Sequence, residues 1–432
     1  MPALLRQAPA ASPGIRMTVA LLDTNDCVLQ LWGAGPVQQS PGYALLEGKD
    51  YQFGNDARGS ARLRPRDINS RYWWQLSVEP LQPALGPARH TADLVHAHLL
   101  RLHREAGQPE ELLLACSGSM QREQLSLLLG IVQQCPFEVV GLVNRSALLG
   151  SLHGGPGRLF HLELQLHQAL ITELAQSGSE IIVQRSVPLP GCGLLQLQER
   201  LVEVVASAFI RQTRFDPRRK AQTEQQLYDA LPKALQALAN SPETNIEVNG
   251  YQARIAGTDM VSAGQRLFTA AAEAMGSLSP ADRLVADPLV ALLPGIRDKF
   301  PIAQIAAGDE LWRAMQQLTD HLLNRDGPLS FITALPCLAA DDSSPIEPVV
   351  LEPMPVAITH PTHVLIGATA KPLTGTVNLA PGLTLEQQAQ GWLLTGVATI
   401  NGTAAKADEP LAAGDVIGSA DGVAFKLIEV VD

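Results

Sequence analysis

Residues 19–32 read Val-Ala-Leu-Leu-Asp-Thr-Asn-Asp-Cys-Val-Leu-Gln-Leu-Trp, which is an apolar run, a polar turn and a second apolar run. Residues 158–173 read Arg-Leu-Phe-His-Leu-Glu-Leu-Gln-Leu-His-Gln-Ala-Leu-Ile-Thr-Glu and repeat that plan further along the chain. Short apolar runs bounded by turn residues are typical of buried strands. We therefore predict two β-hairpins, each opening one of two similar α/β halves.

Alternating strands and helices follow each hairpin. In the first half, Glu111–Cys116 and Phe137–Val143 predict buried strands, and Gln121–Gln134 predicts a helix between them. In the second half, Leu194–Thr213 and Thr223–Asn240 predict two long amphipathic helices. A strand, a helix and a further strand in this order indicate a parallel α/β layer.

The length of 432 residues predicts two to four domains, since a domain takes roughly 100–200 residues. Residues 1–16, rich in Pro and Ala, predict a loose tail. We expect the α/β body at 17–157 and 158–337, and a stiff, Pro-rich linker at 338–362. Residues 363–432 hold only short strand patterns between turn residues, which is typical of an all-β sandwich or small barrel.

Charge and cysteine usage limit the class of partner. The formal net charge is −11, which disfavours nucleic acid because phosphate contacts need a basic face. The five cysteines are far apart and form no Cys-x-x-Cys pair, so we expect neither disulfides nor a zinc site. No apolar run reaches the roughly 18 residues of a membrane span. These features predict a cytoplasmic protein with no metal site, whose partner is another protein.

Three histidines, His96, His98 and His103, lie in one predicted helix. Their spacing does not match the i, i+4 pattern of paired metal ligands, so we interpret them as an exposed polar stripe. Of the adjacent Trp73 and Trp74, we expect one to pack inward and the other to point outward. Ser117-Gly-Ser119 precedes a helix, where serine is a favoured N-terminal cap and backbone amides can also bind anions.

Four polar residues of the second hairpin, His161, Glu163, Gln165 and His167, alternate with leucines. Alternate residues of a strand share a face, so these side chains point either to solvent or to a cleft between the two halves. Such a cleft could bind a polar ligand. An acid–base pair of His161 and Glu163 is conceivable, but no nucleophile stands beside it.

The order of these elements resembles the nucleotide-binding domain of DnaK-type heat-shock chaperones, which belong to the actin-like ATPase class. Residues 19–28 resemble the first phosphate hairpin, residues 112–150 resemble the end of the first lobe, and residues 194–240 resemble the large insertion of the second lobe. The resemblance covers about residues 17–325. It implies an α/β, two-lobe actin-like (DnaK-type) ATPase fold with lobe I at 17–157 and lobe II at 158–337.

The resemblance also implies a nucleotide site, but the sequence departs from the family's pattern at the residues that would form this site. If a nucleotide binds, Asp23 would hold magnesium through water, and Thr24 and Asn25 would contact phosphates. Phosphate-binding hairpins need glycines, because backbone amides must approach the anion without a Cβ in the way. Both hairpins lack glycine, and the loop expected on the adenosine side, 302–309, has one. We therefore expect no catalytic residue and no bound cofactor.

The C-terminal β module has a resemblance of its own. Residues 399–418 resemble the closing hairpins of a forkhead-associated (FHA) domain. The arginine of phosphothreonine readers is replaced by Ala368, and the loop beginning at Thr384 lacks their serine. Without the arginine, the charge-assisted contact to phosphate is lost, and Asn401 alone would not hold the group.

Three hypotheses for function follow. The first is a DnaK/actin-like pseudo-ATPase that acts as a non-hydrolysing interaction or assembly scaffold. The second is a working ATP-dependent chaperone that uses ATP and Mg²⁺ through unorthodox phosphate loops at Asp23, Thr24 and Asn25. The third is a phosphoprotein-binding adaptor that acts through its FHA-like module.

Overall fold

The computed structural model describes residues 19–338, 361–366, 369–388, 391–401, 403–405, 410–419 and 423–428. The chain divides into two compact units, residues 1–342 and 343–432. The predicted tail at 1–16 and most of the predicted linker at 338–362 lie outside the described residues.

The first unit contains strands of both predicted halves. They are β1 Val19–Asp23, β2 Leu29–Trp32, β3 Gln38–Ser40, β4 Ala44–Glu47, β5 Asp50–Phe53, β6 Ile68–Asn69, β7 Pro80–Leu85, β8 Ala88–His90, β9 Glu111–Cys116, β10 Glu138–Asn144, β11 Arg158–Leu164, β12 Gln168–Ser177, β13 Glu180–Pro190, β14 Glu243–Val248, β15 Tyr251–Ala256, β16 Arg283–Ala286, β17 Ala303–Ile305, β18 Phe331–Ile332 and β19 Ala334–Pro336.

The helices of this unit lie between these strands. They are α1 Gly54–Arg58, α2 Thr91–Glu105, α3 Arg122–Val132, α4 Arg145–Gly150, α5 Leu194–Thr213, α6 Ala221–Leu238, α7 Gly257–Met275, α8 Ile296–Lys299, α9 Glu310–Gln317 and α10 Thr319–Leu322, with 3₁₀ turns at Pro217–Arg219 and Pro288–Leu292. Within the described ranges, no helix combines the length and the apolar character that crossing a membrane would require.

Two large sheets of the same plan organise the described residues 19–338. The first has the order β18-β10-β9-β1-β2-β3, and the second has the order β17-β16-β11-β12-β13-β19. Each begins with three antiparallel strands in sequence, β1-β2-β3 or β11-β12-β13. One later strand, β9 or β16, then pairs in parallel with the first strand of each set, and a second, β10 or β17, pairs in parallel with that later strand. Both predicted hairpins are therefore present, and each opens its own sheet.

The chain closes the unit by adding one short strand to each sheet. Strand β18 pairs in parallel with β10, and β19 pairs antiparallel with β13. Since only Thr333 separates these two strands, the segment 331–336 ties the edges of both sheets together.

A shared apolar core lies between the two sheets, and α4 is part of it. The core combines Leu21 and Leu113 of the first sheet with Leu159 of the second. All six residues of α4 are buried. Its N-terminus is stabilised by Asn144, whose side-chain oxygen accepts hydrogen bonds from the amides of Ser146 and Ala147 at 2.9 and 3.1 Å. The helix therefore holds its first residue, Arg145, rigidly between the sheets.

The second unit consists of short antiparallel strands, as the spacing of turn residues predicts. They are β20 His363–Ile366, β21 Thr369–Pro372, β22 Thr376–Ala380, β23 Leu383–Gln388, β24 Gly391–Thr395, β25 Ala398–Ile400, β26 Thr403–Ala404, β27 Val416–Ser419 and β28 Ala424–Ile428. In its described residues they form sheets of order β21-β20-β28-β27-β25-β26 and β22-β23-β24. The core includes Trp392, Phe425 and Leu427.

The interpretation of the α2 histidines as an exposed stripe is wrong. His98 is fully buried and His103 is 4% exposed. The His98 Nδ1 atom accepts hydrogen bonds from Trp73 Nε1 at 3.1 Å and from the Tyr72 hydroxyl at 2.8 Å. Because an indole can only donate, Nδ1 carries no proton, and Nε2 donates to Ser40 Oγ at 2.7 Å. The side chain is thus a neutral core residue with both nitrogens satisfied.

The buried ring of His98 makes stability depend on pH. Burial, aided by the charge of Arg101, lowers the pKa of His98 from 6.5 to about 3. The unfolded chain therefore gains a proton below pH 6.5 that the folded protein does not accept, so stability is full above that pH and falls below it. Between pH 7.5 and 5 we expect this residue to cost about 2 kcal/mol, measured by urea unfolding.

The His98→Gln variant is the control, because its side chain cannot titrate. Its own loss of stability over the same pH interval should be smaller than that of the wild type. Equal losses in the two proteins would contradict a neutral, buried His98.

Candidate functional site

The turns of the two hairpins meet where the two sheets come together. Asn25 Nδ2, in the β1–β2 turn, donates to the Leu164 carbonyl at 3.1 Å. In the same turn, Asp26 Oδ1 accepts from the Leu166 amide at 2.8 Å. Both contacts are buried and join residues far apart in sequence. The polar faces of the two hairpins therefore bind each other directly.

Arg145 lies at the centre of this junction, in contact with carboxylates from both sheets. Its Nε atom donates to both oxygens of Asp23 at 2.9 and 3.0 Å. Its Nη2 atom lies 2.9 Å from Asp287 Oδ1, and its Nη1 atom lies 3.8 Å from Glu163 Oε2. The arginine is 6% exposed, and none of the three acids exceeds 4%. A single buried guanidinium thus joins the end of β1 to β11 and to the residue that follows β16.

Neighbouring groups complete this cluster. His161 Nδ1 lies 2.8 Å from Ser146 Oγ, and His161 Nε2 lies 3.3 Å from Asp287 Oδ1. Glu163 Oε1 accepts from Gln165 Nε2 at 2.7 Å. His161, Glu163 and Gln165 therefore face the interior between the sheets rather than solvent. Since His161 and Glu163 each contact other groups, the conceivable acid–base pair is not formed.

The two aspartates that contact Arg145 have pKa values shifted in opposite directions. Burial raises the pKa of Asp23 to about 6, although the charge of Arg145 opposes the rise. Burial would also raise the pKa of Asp287, but Arg145 and His161 together lower it to about 2. Burial disfavours the charged form of Arg145, yet the surrounding carboxylates raise its pKa well above its ordinary value. The arginine is therefore a permanent cation within a cluster that has an excess of acidic groups.

Four backbone amides of the first hairpin turn already have hydrogen-bond acceptors. The Thr24 amide donates to the Ala115 carbonyl at 3.0 Å, and the Asn25 amide donates to Asp23 Oδ1 at 3.2 Å. The amides of Cys27 and Val28 donate to the side-chain and backbone oxygens of Asn25 at 2.9 and 3.1 Å. These amides could bind an anion only if the turn gave up its internal hydrogen bonds.

The second hairpin uses its amides in the same way, and two of its acceptors are carboxylates. The Leu164 amide donates to Asp287 Oδ2 at 3.3 Å, and the Leu166 amide donates to Asp26 Oδ1. Between them, the Gln165 amide donates to the Gln168 carbonyl at 2.9 Å. Internal carboxylates thus occupy positions at which backbone donors would meet a bound anion.

A cavity of about 290 Å³ opens beside the Arg145 cluster. Asp23, Asn25, Arg145 and Asp287 form its polar end, and apolar side chains line much of the rest. The predicted adenosine-side loop contributes Ala306, Ala307 and Gly308. Ligand pockets commonly measure about 300–1,000 Å³, so this cavity lies at the small end of that range.

A different cavity of about 260 Å³ lies on the other side of the turns, near two tryptophans. Trp73 is 4% exposed and Trp74 is 38% exposed, so one packs inward and the other outward, as predicted. The Trp74 ring stacks on His167 with ring centroids 5.0 Å apart. His167 Nε2 also lies 2.9 Å from the Ser70 carbonyl.

The predicted serine cap of the following helix is wrong. Helix α3 begins at Arg122 and its N-cap is Gln121, whose backbone amide donates to Gln124 Oε1 at 3.0 Å. Ser117 and Ser119 instead contact Gln165, whose Nε2 atom lies 2.6 and 3.1 Å from their hydroxyl oxygens. These serines therefore join the first sheet to the second hairpin.

The structure brings the three predicted site residues together, but each already has internal partners. Asp23 pairs with Arg145, Thr24 Oγ1 donates to the Ala115 carbonyl at 3.1 Å, and Asn25 contacts Leu164. Sequence reasoning missed Arg145, Asp26 and Asp287. The one signal available for Arg145 was a charged residue directly before the small and apolar residues 146–150.

In the second unit, the side chain of Asn401 is engaged by the residues at the start of β27. Its Nδ2 atom donates to Asp415 Oδ1 at 2.8 Å, and its Oδ1 atom accepts from the Val416 amide at 3.0 Å. Thr384 lies in strand β23, so the expected loop there is wrong. Ala368 lies outside the described residues.

Comparisons with known proteins add no relative to this picture. No protein-family model matches the chain, and no curated protein is significantly similar to it. Among the described residues, no three His, Cys, Asp or Glu side chains converge in a way that could hold a metal ion.

Removal of the central cation should strongly destabilise the first unit. Arg145→Met keeps much of the side-chain length but leaves Asp23, Glu163 and Asp287 without a counter-ion. We expect the free energy of unfolding at pH 7 to fall by about 3–5 kcal/mol, measured with urea. Arg254→Met is the matched control, because Arg254 is 70% exposed and makes one 3.7 Å ion pair; its cost should stay below about 1 kcal/mol.

A compensated variant distinguishes the cost of unpaired charges from the cost of altered packing. Adding Asp23→Asn, Glu163→Gln and Asp287→Asn to Arg145→Met removes the unpaired charges and should restore more than half of the lost stability. An Arg145→Met protein as stable as wild type would show that the cluster does not depend on its cation.

Asp26 should limit stability at alkaline pH. Burial raises its pKa from 3.8 to about 7, although the Leu166 amide opposes the rise. Between these values the folded protein holds a proton that the unfolded chain has lost, so stability decreases as pH rises through this window. Asp26→Asn should therefore stabilise the protein at pH 8 by on the order of 1–3 kcal/mol in urea unfolding.

This gain should disappear by pH 3, where the carboxyl group is protonated in the folded protein and mostly protonated in the unfolded chain, whose pKa is near 3.8. Asp50→Asn, at an exposed position of β5, serves as the control and should show no such pH dependence. A destabilised Asp26→Asn protein at pH 8 would mean that the negative charge itself supports the hairpin contact.

Proposed function

We propose that the first unit has a two-lobe, actin-like (DnaK-type) architecture whose nucleotide site is closed by internal charges, and that the protein acts as a non-hydrolysing interaction or assembly scaffold. The observation that carries this proposal is the contact of Arg145 with Asp23 and Asp287. In an ATPase of this class, the same junction would hold a cation and phosphate groups.

The repeated sheet order supports the architectural part of the proposal. Each sheet begins with a hairpin, and the two hairpin turns meet at one junction, as two phosphate loops would. The FHA-like assignment of the second unit is part of the same proposal. Its support is two antiparallel sheets around an apolar core.

The internal contacts support the loss of nucleotide chemistry. The guanidinium of Arg145 takes the place of the cation, and the carboxylates of Asp26 and Asp287 use second-hairpin amides. Entry of a triphosphate would bring further negative charge to a cluster that already has an excess of acids. It would also require replacement of buried hydrogen bonds, each of which is costly to leave unmade.

The first experiment measures nucleotide binding. With 5 mM Mg-ATP, we expect the melting temperature of the full-length protein to stay within about 1 °C of its value with Mg²⁺ alone. A ligand present at one hundred times its dissociation constant would add about 2.7 kcal/mol, which corresponds to several degrees. A shift of that size, or nucleotide retained by the purified protein, would favour the ATP-dependent chaperone.

The second experiment tests the scaffold role. Complexes that contain the tagged full-length protein should keep the same composition in buffer with Mg-ATP and in buffer treated to remove nucleotides. An ATP-driven chaperone would release its bound proteins when ATP is added. Binding that depends on phosphorylated threonine in the partner would instead favour the phosphoprotein adaptor.

A further inference from the structure

An apolar cavity of about 170 Å³ lies in the first unit, between the segment after β1 and the long helices α5 and α6. Leucines of both helices line it, including Leu197, Leu201, Leu231 and Leu235. All four are buried. The cavity is partly open to its surroundings, so a ligand has a way into it. Arg58 is the one charged residue among the described residues that line it.

A polar cavity of about 220 Å³ adjoins the apolar one. Tyr43, Arg58 and Gln198 line both cavities, so they mark the boundary between them. Within the described part of the chain, the side chains of these three residues make no hydrogen bond or ion pair with another group. The Arg58 Nε atom is buried without a partner. Most buried polar groups are hydrogen-bonded, so the buried Arg58 Nε atom, which has no partner, points to an acceptor supplied by a ligand. The Tyr43 hydroxyl and the Gln198 amide lie at the same boundary and are available to donate to that ligand.

We propose that this boundary binds a medium-chain aliphatic carboxylate. The carboxylate accepts hydrogen bonds from the guanidinium of Arg58, the hydroxyl of Tyr43 and the amide of Gln198. The hydrocarbon chain lies among the leucines of α5 and α6. A guanidinium suits this role because its planar donors match the two oxygens of a carboxylate.

The size of the apolar cavity sets the length of the chain. A dry cavity of about 150 Å³ in another protein accommodates benzene, so the space here takes on the order of six carbon atoms. Octanoate, with its head at the boundary, is therefore a suitable probe. Acetate would leave the apolar cavity unfilled, and 1-octanol would leave the Arg58 charge unmatched.

The polar cavity disfavours a more highly charged head group. Glu199 and Asp229 also line it, and Arg62 makes contacts of 4.0 Å with both Glu199 and Glu224. These acids would repel a dianion more than a singly charged carboxylate. Burial also raises the pKa of Tyr43, so its hydroxyl keeps the proton that it donates.

Isothermal titration of the full-length protein with octanoate tests the proposal. We expect saturable binding of octanoate, and binding of acetate, inorganic phosphate and 1-octanol that is weaker by tenfold or more. The absence of octanoate binding at millimolar concentration would overturn the proposal. Equal affinity for 1-octanol and octanoate would overturn it as well, because the charged head would then contribute nothing.

Variants locate the binding site. Arg58→Met should weaken octanoate binding by tenfold or more, and Tyr43→Phe should weaken it to a smaller extent. Arg66→Met is the matched control, since Arg66 is exposed nearby in sequence and lines neither cavity. An unchanged melting temperature would show that Arg58→Met is folded. If it then bound octanoate within twofold of wild type, the assignment to this boundary would be wrong.

Discussion

The buried guanidinium of Arg145 constrains the whole first unit. It contacts Asp23 at the end of one sheet and Asp287 beside a strand of the other, so the relative position of the two sheets fixes the geometry of three charges. Buried ion pairs seldom add much net stability, because desolvation offsets their attraction. They do penalise any arrangement that separates the partners. The cluster therefore specifies how the sheets meet, while the apolar core around α4 supplies favourable burial between them.

This constraint bears directly on motion between the two halves. Lobes that open and close around a ligand need an interface that can exchange one set of contacts for another. Here the contacts across the junction include the buried charge of Arg145. If the halves moved apart, this charge would lose carboxylate partners without gaining others in their place. The segment that carries β18 and β19 adds a covalent connection at the sheet edges. Both features favour a single arrangement, which suits a protein that presents a fixed surface.

Local sequence patterns account for most of the strands and helices. Alternating leucines predict β11, and the polar turn at Asp23 predicts the hairpin of β1 and β2. The position of Arg145 follows from no such pattern, because the two aspartates that it contacts lie more than a hundred residues away, one in each direction along the chain. His98 is an intermediate case. Its helical spacing with Leu94 and Leu102 indicates a buried position. Because histidine is polar, we instead predicted that it is exposed. Only the surrounding Trp73, Tyr72 and Ser40 explain why a histidine is tolerated there.

The stacked pair of Trp74 and His167 has a practical consequence. One ring belongs to the first half of the unit and the other to the second hairpin, so their overlap depends on the distance between the halves. Indole emission depends on the groups in contact with the ring. The protein therefore carries an intrinsic optical probe at the junction of its halves, which can follow their separation without any attached dye.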